Sequence, residues 1–528
     1  MCIRDRLVVV TLPFRIPIES GGITSNLLVP LYLVVGAGAL AFAARSLRRG
    51  TAPSGEAAGD RSAEPQPPRR LGGAVWVPWL TRLLALNVVL YAIQSLYSPD
   101  FQKALQQMVF FYVPFALMFC ILRDLEWTPR LLRACLLIAV GLALAFAALG
   151  FAEYATKTLF LNPKLIAAND VHAYFTVNSV FFDPDIFGRF LALVMILVAA
   201  ALLYARDRRE QLAALGALVV LWAGLVLTLS RSSLGALLLG LAVLGAMRWK
   251  AKPILVAAAT VVVVGVAVVA ISPKTFGLNQ GLNGASSGRA GLVSGGAQIF
   301  AHRPSWGYGS GSFQVRYRSL NPKSTSSLSA SHTIAITIAA EQGLIGELPY
   351  IALVVLAAVV LIPGARANPY RAAIAAAFLA LVFHTELYAD FLEDPVTWTL
   401  LGAAVALAGS PRARPGQRRQ TWFPPDAWLS DARLSRGCGP GVGSARRCSA
   451  SRAPARRRGP CPSAGRGAAR RCRPARGCRC RSADECRRRC GGGSGGGRNP
   501  LPEEVVTKAS VASQKVTNPF GGWAHQLE

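Results

Sequence analysis

The chain has 528 residues, 52% of them apolar, and a formal net charge of +30. That much apolar sequence excludes a string of soluble domains and leaves room for about a dozen membrane spans of roughly 20 residues each. The charge is not the footprint of a nucleic-acid binder: Ser410 to Glu528 holds 25 Lys and Arg against 7 Asp and Glu, a net +18, and most of the remaining +12 falls in short loops.

MCIRDR, at residues 1–6, reads as a spurious start, and LVVVTLPF at 7–14 as the remnant of a truncated first span. Apolar runs of spanning length follow near 27–46, 74–96, 105–123, 132–154, 186–205, 211–229, 232–247, 254–271, 344–363, 372–389 and 395–409. They predict an all-α, polytopic transmembrane helix bundle of about 11–12 spans over residues 7–409. Basic clusters mark alternate connections, among them Arg45, Arg48 and Arg49; Arg123, Arg130 and Arg133; Arg206, Arg208 and Arg209; Arg248, Lys250 and Lys252; and Arg366 and Arg371. Basic loops stay in the cytoplasm, so the opposite face receives the 155–185 connection, the Ser230–Ser233 turn, one large extracytoplasmic loop at 272–342 and the acidic turn Glu386–Asp394.

Gly50 to Arg70, rich in Pro, Gly, Ala and charge, reads as a flexible linker. Residues 410–528 form a basic tail that holds eight of the eleven cysteines between Cys438 and Cys490. Their spacing fits no regular zinc or disulfide pattern, apolar residues are nearly absent, and the common residue types are those of GC-rich codons. The tail therefore reads as disordered or frame-shifted sequence.

Chemistry on the outer side falls on a few residues. Arg231 interrupts two spans joined almost without a loop; it either snorkels to headgroups or clamps an anion, for which a planar, permanently charged fork is suited. Arg289 opens a helix-like stretch to Phe300, and Gly307, Gly309 and Gly311 follow in a turn whose amides suit an anion; a solvated charge on a loop helix is the other reading. His332 stands at the start of the run re-entering the membrane, where an imidazole accepts a proton or orients a hydroxyl. Ser329 or Ser331 is expected to cap that helix, and Glu341, nine residues on and on the opposite helix face, reads as structural. Asp183-Pro-Asp185 has the form of a divalent-metal pair, but Asp185 is better placed as an N-cap paired with Arg189 at i, i+4. The acidic turn of Glu386, Asp390, Glu393 and Asp394 either contacts an acceptor or, the preferred reading, is a solvated loop.

Three pieces in order, SRSSLGALLLG around Arg231, the Arg289 stretch with HRPSWGYGSGSF, and SHTIAITIAAEQGLIG from Ser331, carry a family resemblance. The segment from about Phe181 to Ala408 resembles the bacterial O-antigen ligase and polymerase superfamily, with one departure: Thr333 follows the histidine where the family shows Asn. The resemblance implies a multi-pass inner (plasma) membrane glycosyltransferase. Such an enzyme moves a saccharide, with inversion, from a polyprenyl diphosphate-linked glycan donor to a lipid, glycan or protein acceptor, using no cofactor and no metal. Carried over, Arg231 and Arg289 become diphosphate ligands and His332 the base or acceptor-orienting group. Arg303 is a further substrate-binding candidate that otherwise anchors its own turn. Membrane lipids, and no nucleic acid, are the other expected partners. The rival expectation is a transporter or channel for a small anion or lipid, which would place charges or broken helices near the bilayer midplane.

Overall fold

The computed structural model describes residues 2–14, 16–20, 23–50, 75–160, 175–249, 251–271, 289–322 and 330–409. The linker beyond Gly50, the first part of the 272–342 loop and the tail from 410 lie outside the described residues. Contacts divide the chain after Pro440, and every described residue belongs to the first unit.

Fourteen helices are described: α1 (Cys2–Thr11), α2 (Val29–Gly50), α3 (Val77–Ser95), α4 (Phe101–Arg123, with a π-helical turn at Met108–Tyr112), α5 (Pro129–Thr156), α6 (Pro184–Tyr204), α7 (Arg208–Leu227), α8 (Arg231–Arg248), α9 (Ala251–Ile271), α10 (Arg289–His302), α11 (Phe313–Leu320), α12 (Ile334–Leu361), α13 (Pro369–Thr385) and α14 (Pro395–Gly409). Each of the eleven expected apolar runs lies on one of them. Among the described residues, seven helices are long and apolar enough to cross a membrane, and Val29–Ala41, Pro369–Thr385 and Pro395–Ala408 are shorter apolar helices. The protein is an all-α polytopic bundle. Among the described residues the strands form one antiparallel hairpin, β1 (Ile16–Ser20) with β2 (Ile23–Leu27).

Four helix starts share a sequence device, a capping side chain followed by proline. Thr128 accepts from the Leu131 amide ahead of Pro129, Asn368 from those of Tyr370 and Arg371 around Pro369, and Asp394 from that of Val396 around Pro395. The cap satisfies a free amide of the first turn, and proline supplies a φ already suited to the helix at a position needing no donor. At α6 the cap is Asp183, whose carboxylate accepts from the Asp185 amide at 2.6 Å. Asp185, expected to be the cap, is thereby released to the first turn.

α6 and α13 form the centre, almost wholly buried, while α7 turns Leu212, Val219 and Trp222 outward as a lipid-facing helix does. Gly188 lets α6 meet the α7–α8 turn closely, because a Cβ there would lie 2.7 Å from Ser233 Oγ. The basic connections gather at one end of the bundle. There Arg366 reaches the Ala246 carbonyl, Arg371 those of Val360 (2.8 Å) and Pro363 (2.7 Å), and Arg248 stacks over Tyr204. The starts of α6, α8 and α12 and the end of α13 lie at the opposite end.

The helix expected next to His332 is α12, which begins at Ile334 inside the segment read as the 272–342 loop and is broken at Gly343 (φ 64°). The break is set by the 304–311 turn, whose backbone presses on Gly343 so closely that a Cβ would stand 2.5 Å from the Ser305 carbonyl oxygen.

Candidate active site

Asp185 is the hub of a polar cluster at that end. Its Oδ1 accepts from the hydroxyls of Ser230 and Ser232 (3.1 Å), and its backbone carbonyl from Ser233 Oγ (3.2 Å). Ser230 also caps α8 through the Ser233 amide, so one short turn supplies three hydroxyls to the start of α6. The expected Asp185–Arg189 pair does not form. Arg189 instead pairs with Asp394 at 3.0 Å, both buried. Asp185 is spoken for by the serine turn, while Asp394 is carried to Arg189 at the start of α14.

Arg289, the first residue of α10, donates from Nη2 to Asp185 Oδ2 at 3.0 Å and from Nη1 to the Leu387 carbonyl at 3.2 Å. His332 precedes α12 with φ 63°, a left-handed conformation unusual for a residue with a side chain. Its neighbours hold it there: Ser331 Oγ donates to the Thr333 carbonyl at 2.7 Å, and the Ser331 amide donates to Thr337 Oγ1 at 3.0 Å. Ser331 thus braces the lead-in instead of capping α12; Ser329 lies outside the described residues. The His332 ring packs edge-on against Tyr388 at 5.6 Å, and Tyr388 lies 6.0 Å from the His384 ring. His384 is fully buried, with Nε2 at 3.1 Å from Ser233 Oγ and 3.3 Å from Ser232 Oγ. Five segments distant in sequence therefore meet within one hydrogen-bonded and stacked cluster.

The electrostatics suit a neutral imidazole. Burial lowers the His332 pKa from 6.5, the Arg289 charge lowers it further, and Asp185 and Asp390 partly oppose both. Asp183 is pushed up to about 6, first by burial and then by the neighbouring Asp185 carboxylate. Tyr388 is raised by burial and by Asp183 and Asp390. Among the described residues no group of three or more His, Cys, Asp or Glu side chains is arranged to hold a metal.

The other expected site residues fall differently. Arg231 opens α8 beside the serines that hold Asp185, with its own side chain exposed. Arg303 is remote from Arg289: α10 separates them by about 20 Å at 1.5 Å per residue. It stacks on Tyr308 at 4.7 Å, and Arg316 lies over the same ring at 4.2 Å. The glycine turn is filled, but by a carboxyl group of the chain itself. Glu341 of α12 accepts from the Gly311 amide (2.8 Å) and the Phe313 amide (3.0 Å), and its backbone carbonyl takes those of Tyr308 and Gly309. Glu341 is structural, as expected, and it occupies the turn. The acidic turn after α13 is packed as well: besides Asp394, Glu386 accepts from Tyr350 at 3.0 Å and Glu393 from Gln107 at 2.6 Å.

Residues 216–351 match a family model described as O-Antigen ligase. Across that segment, about a quarter of its length, the chain is similar to the O-antigen ligase family. No curated protein matched the chain. The ligase-family segment contains Arg231, Arg289, Arg303, His332 and Glu341, while Asp185 lies before it and His384 and Tyr388 after it. The match and the apolar helices together support an integral membrane protein of the glycan-transfer class.

Sequence reasoning missed His384 and Tyr388, and it assigned Asp185 only a local role. One signal was present: His384 is a titratable residue inside the otherwise apolar run AAIAAAFLALVFHTELY, and such a residue near a membrane is retained for a partner.

Proposed function

We propose that the protein is a glycosyltransferase that moves a saccharide from a polyprenyl diphosphate lipid to an acceptor hydroxyl on the outer face of the membrane, with inversion and without a metal. The observation that carries this reading is the meeting of Arg289 and His332 around Asp185, beside Arg231, at the end of the bundle opposite the basic connections. Cytoplasmic retention of those connections supports an extracytoplasmic site.

In the proposed reaction the acceptor oxygen attacks the anomeric carbon and gives its proton to neutral His332. The bond from that carbon to the diphosphate oxygen breaks, and its electron pair leaves with the diphosphate. A diphosphate is already a good leaving group, so fixed positive charge helps more than a strong acid. Arg289 directs one nitrogen to Asp185 and the other to Leu387, which fixes the plane of its guanidinium while leaving other donors of its five for phosphate oxygens. Arg231, exposed at the start of α8, adds a second charge together with the helix N-terminal dipole. Asp183 is committed to capping α6, and Asp185 to serines and Arg289, which favours arginines over a metal as the source of charge.

The test is glycan transfer from a polyprenyl diphosphate donor in membranes carrying Arg231→Ala, Arg289→Ala or His332→Ala. Loss in each is expected; full activity in all three overturns the reading.

A further inference from the structure

The bundle contains a partly open cavity of about 150 Å³ lined by α1, α5, α6, α13 and α14. It exists because the facing helices present small side chains there, Ala139, Ala373, Ala377 and Ala403, opposite Leu193 and Phe190. Its walls are apolar, so water would find none of the two to four polar partners it needs. A smaller space of about 30 Å³ shares Leu12, Phe190, Leu193 and Val396 with it and is lined also by Arg189 and Asp394. The apolar cavity thus adjoins the smaller space that the buried ion pair lines.

That ion pair is incomplete in one respect. Arg189 is 3% exposed and its Nη2 is held by Asp394, but its Nη1 is buried with no hydrogen-bond partner among the described residues. A buried donor left so is costly, and it points to a ligand oxygen. Because Asp394 already neutralises the arginine, the fitting oxygen is a neutral acceptor and not a second anion.

We propose that this cavity holds one acyl chain of a bilayer phospholipid, with the ester carbonyl at the head of the chain accepting a hydrogen bond from Arg189 Nη1. Two of the lining helices, α5 and α6, are long and apolar enough to cross a membrane, and α13 and α14 are shorter apolar helices, so hydrocarbon is the solvent available to fill the cavity. The isoprenoid chain of a polyprenyl lipid has no carbonyl, and its diphosphate needs a cation with charge to spare. The acyl lipid satisfies both the apolar walls and the free donor.

The experiment uses the full chain in phospholipid vesicles doped with a phosphatidylethanolamine that carries a diazirine midway along one ester-linked chain. Irradiation and peptide mapping are expected to place label on Ala139, Leu193 or Ala377 as well as on outward-facing Val219. The ether-linked analogue, which lacks the carbonyl, is expected to label the cavity residues severalfold less and Val219 equally. Ala377→Phe, which fills the space, is expected to abolish cavity labelling and spare Val219. Label confined to outward-facing residues, equal cavity labelling by ester and ether lipids, or cavity labelling by a diazirine polyprenyl phosphate in place of the ester lipid would each overturn the proposal.

Discussion

Asp185 holds Arg289 by a 3.0 Å ion pair in which neither partner is fully withdrawn from solvent, the carboxylate being 15% and the guanidinium 35% exposed. A pair with that much access to water is worth about 1 kcal/mol or less. It orients the arginine without locking it, and a diphosphate carrying more than one charge can compete for the same donors. The serine turn fixes Asp185 from behind, so the position of Arg289 depends on helix packing between α6 and α8.

Asp185→Asn keeps the shape and most hydrogen-bonding capacity but removes the charge that orients Arg289. In glycan-transfer assays kcat is expected to fall about tenfold, the effect of roughly 1.4 kcal/mol on the barrier. The donor KM should not rise, because the variant loses a negative charge near an anionic substrate. A higher KM with unchanged kcat would show that Asp185 serves donor binding alone.

As the proposed base, His332 is expected to set the acid limb of the pH–rate profile. Burial and then Arg289 hold its pKa below 6.5, so the neutral, proton-accepting form persists below that pH, and the rate falls only when the imidazole is protonated at lower pH. Arg289→Gln removes a charge that depresses the pKa while Asp185 and Asp390 remain, so the acid limb of its residual activity is expected to move to higher pH. Asp185→Asn should move it the other way. A limb that shifts in neither variant would mean that another group titrates.

The spans were legible because a bilayer imposes one requirement on every crossing segment, an apolar run of sufficient length, which composition reveals directly. Arg289 and His332 stood out in the sequence through motif and position, and the structure brings both to the cluster around Asp185. Asp185 was misread because i, i+4 spacing to Arg189 is a local rule, whereas Ser230 of α7–α8 and Asp394 before α14 compete for the two charges from distant sequence. The anion at the glycine turn was misread for a related reason. Gly307, Gly309 and Gly311 do adopt positive φ, as such a turn needs, but the chain supplies its own carboxylate from Glu341, thirty residues after Gly311. His384 entered an apolar run and contributed nothing to periodicity, so only tertiary packing reveals its serine partners.

Glu341→Gln tests that internal anchor. Glutamine offers one acceptor oxygen, so its NH2 group faces either the Gly311 or the Phe313 amide and leaves a buried donor unpaired, at a cost of about 1–3 kcal/mol. Hydrogen exchange is expected to accelerate at those two amides, with a lower thermal midpoint in detergent. Unchanged exchange at both would remove Glu341 from its role in holding the turn.

Arg189 and Asp394 pair at 3.0 Å with 3% and 5% of their side chains exposed, so removing one leaves the other charged and buried. Asp394→Asn retains the oxygen that caps α14 through the Val396 amide, which separates the loss of charge from the loss of the cap. The single variant is expected to lose about 3–5 kcal/mol, the cost of an uncompensated buried charge. Adding Arg189→Leu removes that charge as well, and the double variant should recover much of the loss despite carrying two changes. Thermal unfolding in detergent gives the order directly: the double variant melts above the single one if the orphaned arginine is the cause. It melts no higher if the two side chains matter mainly as packing between α6 and α14.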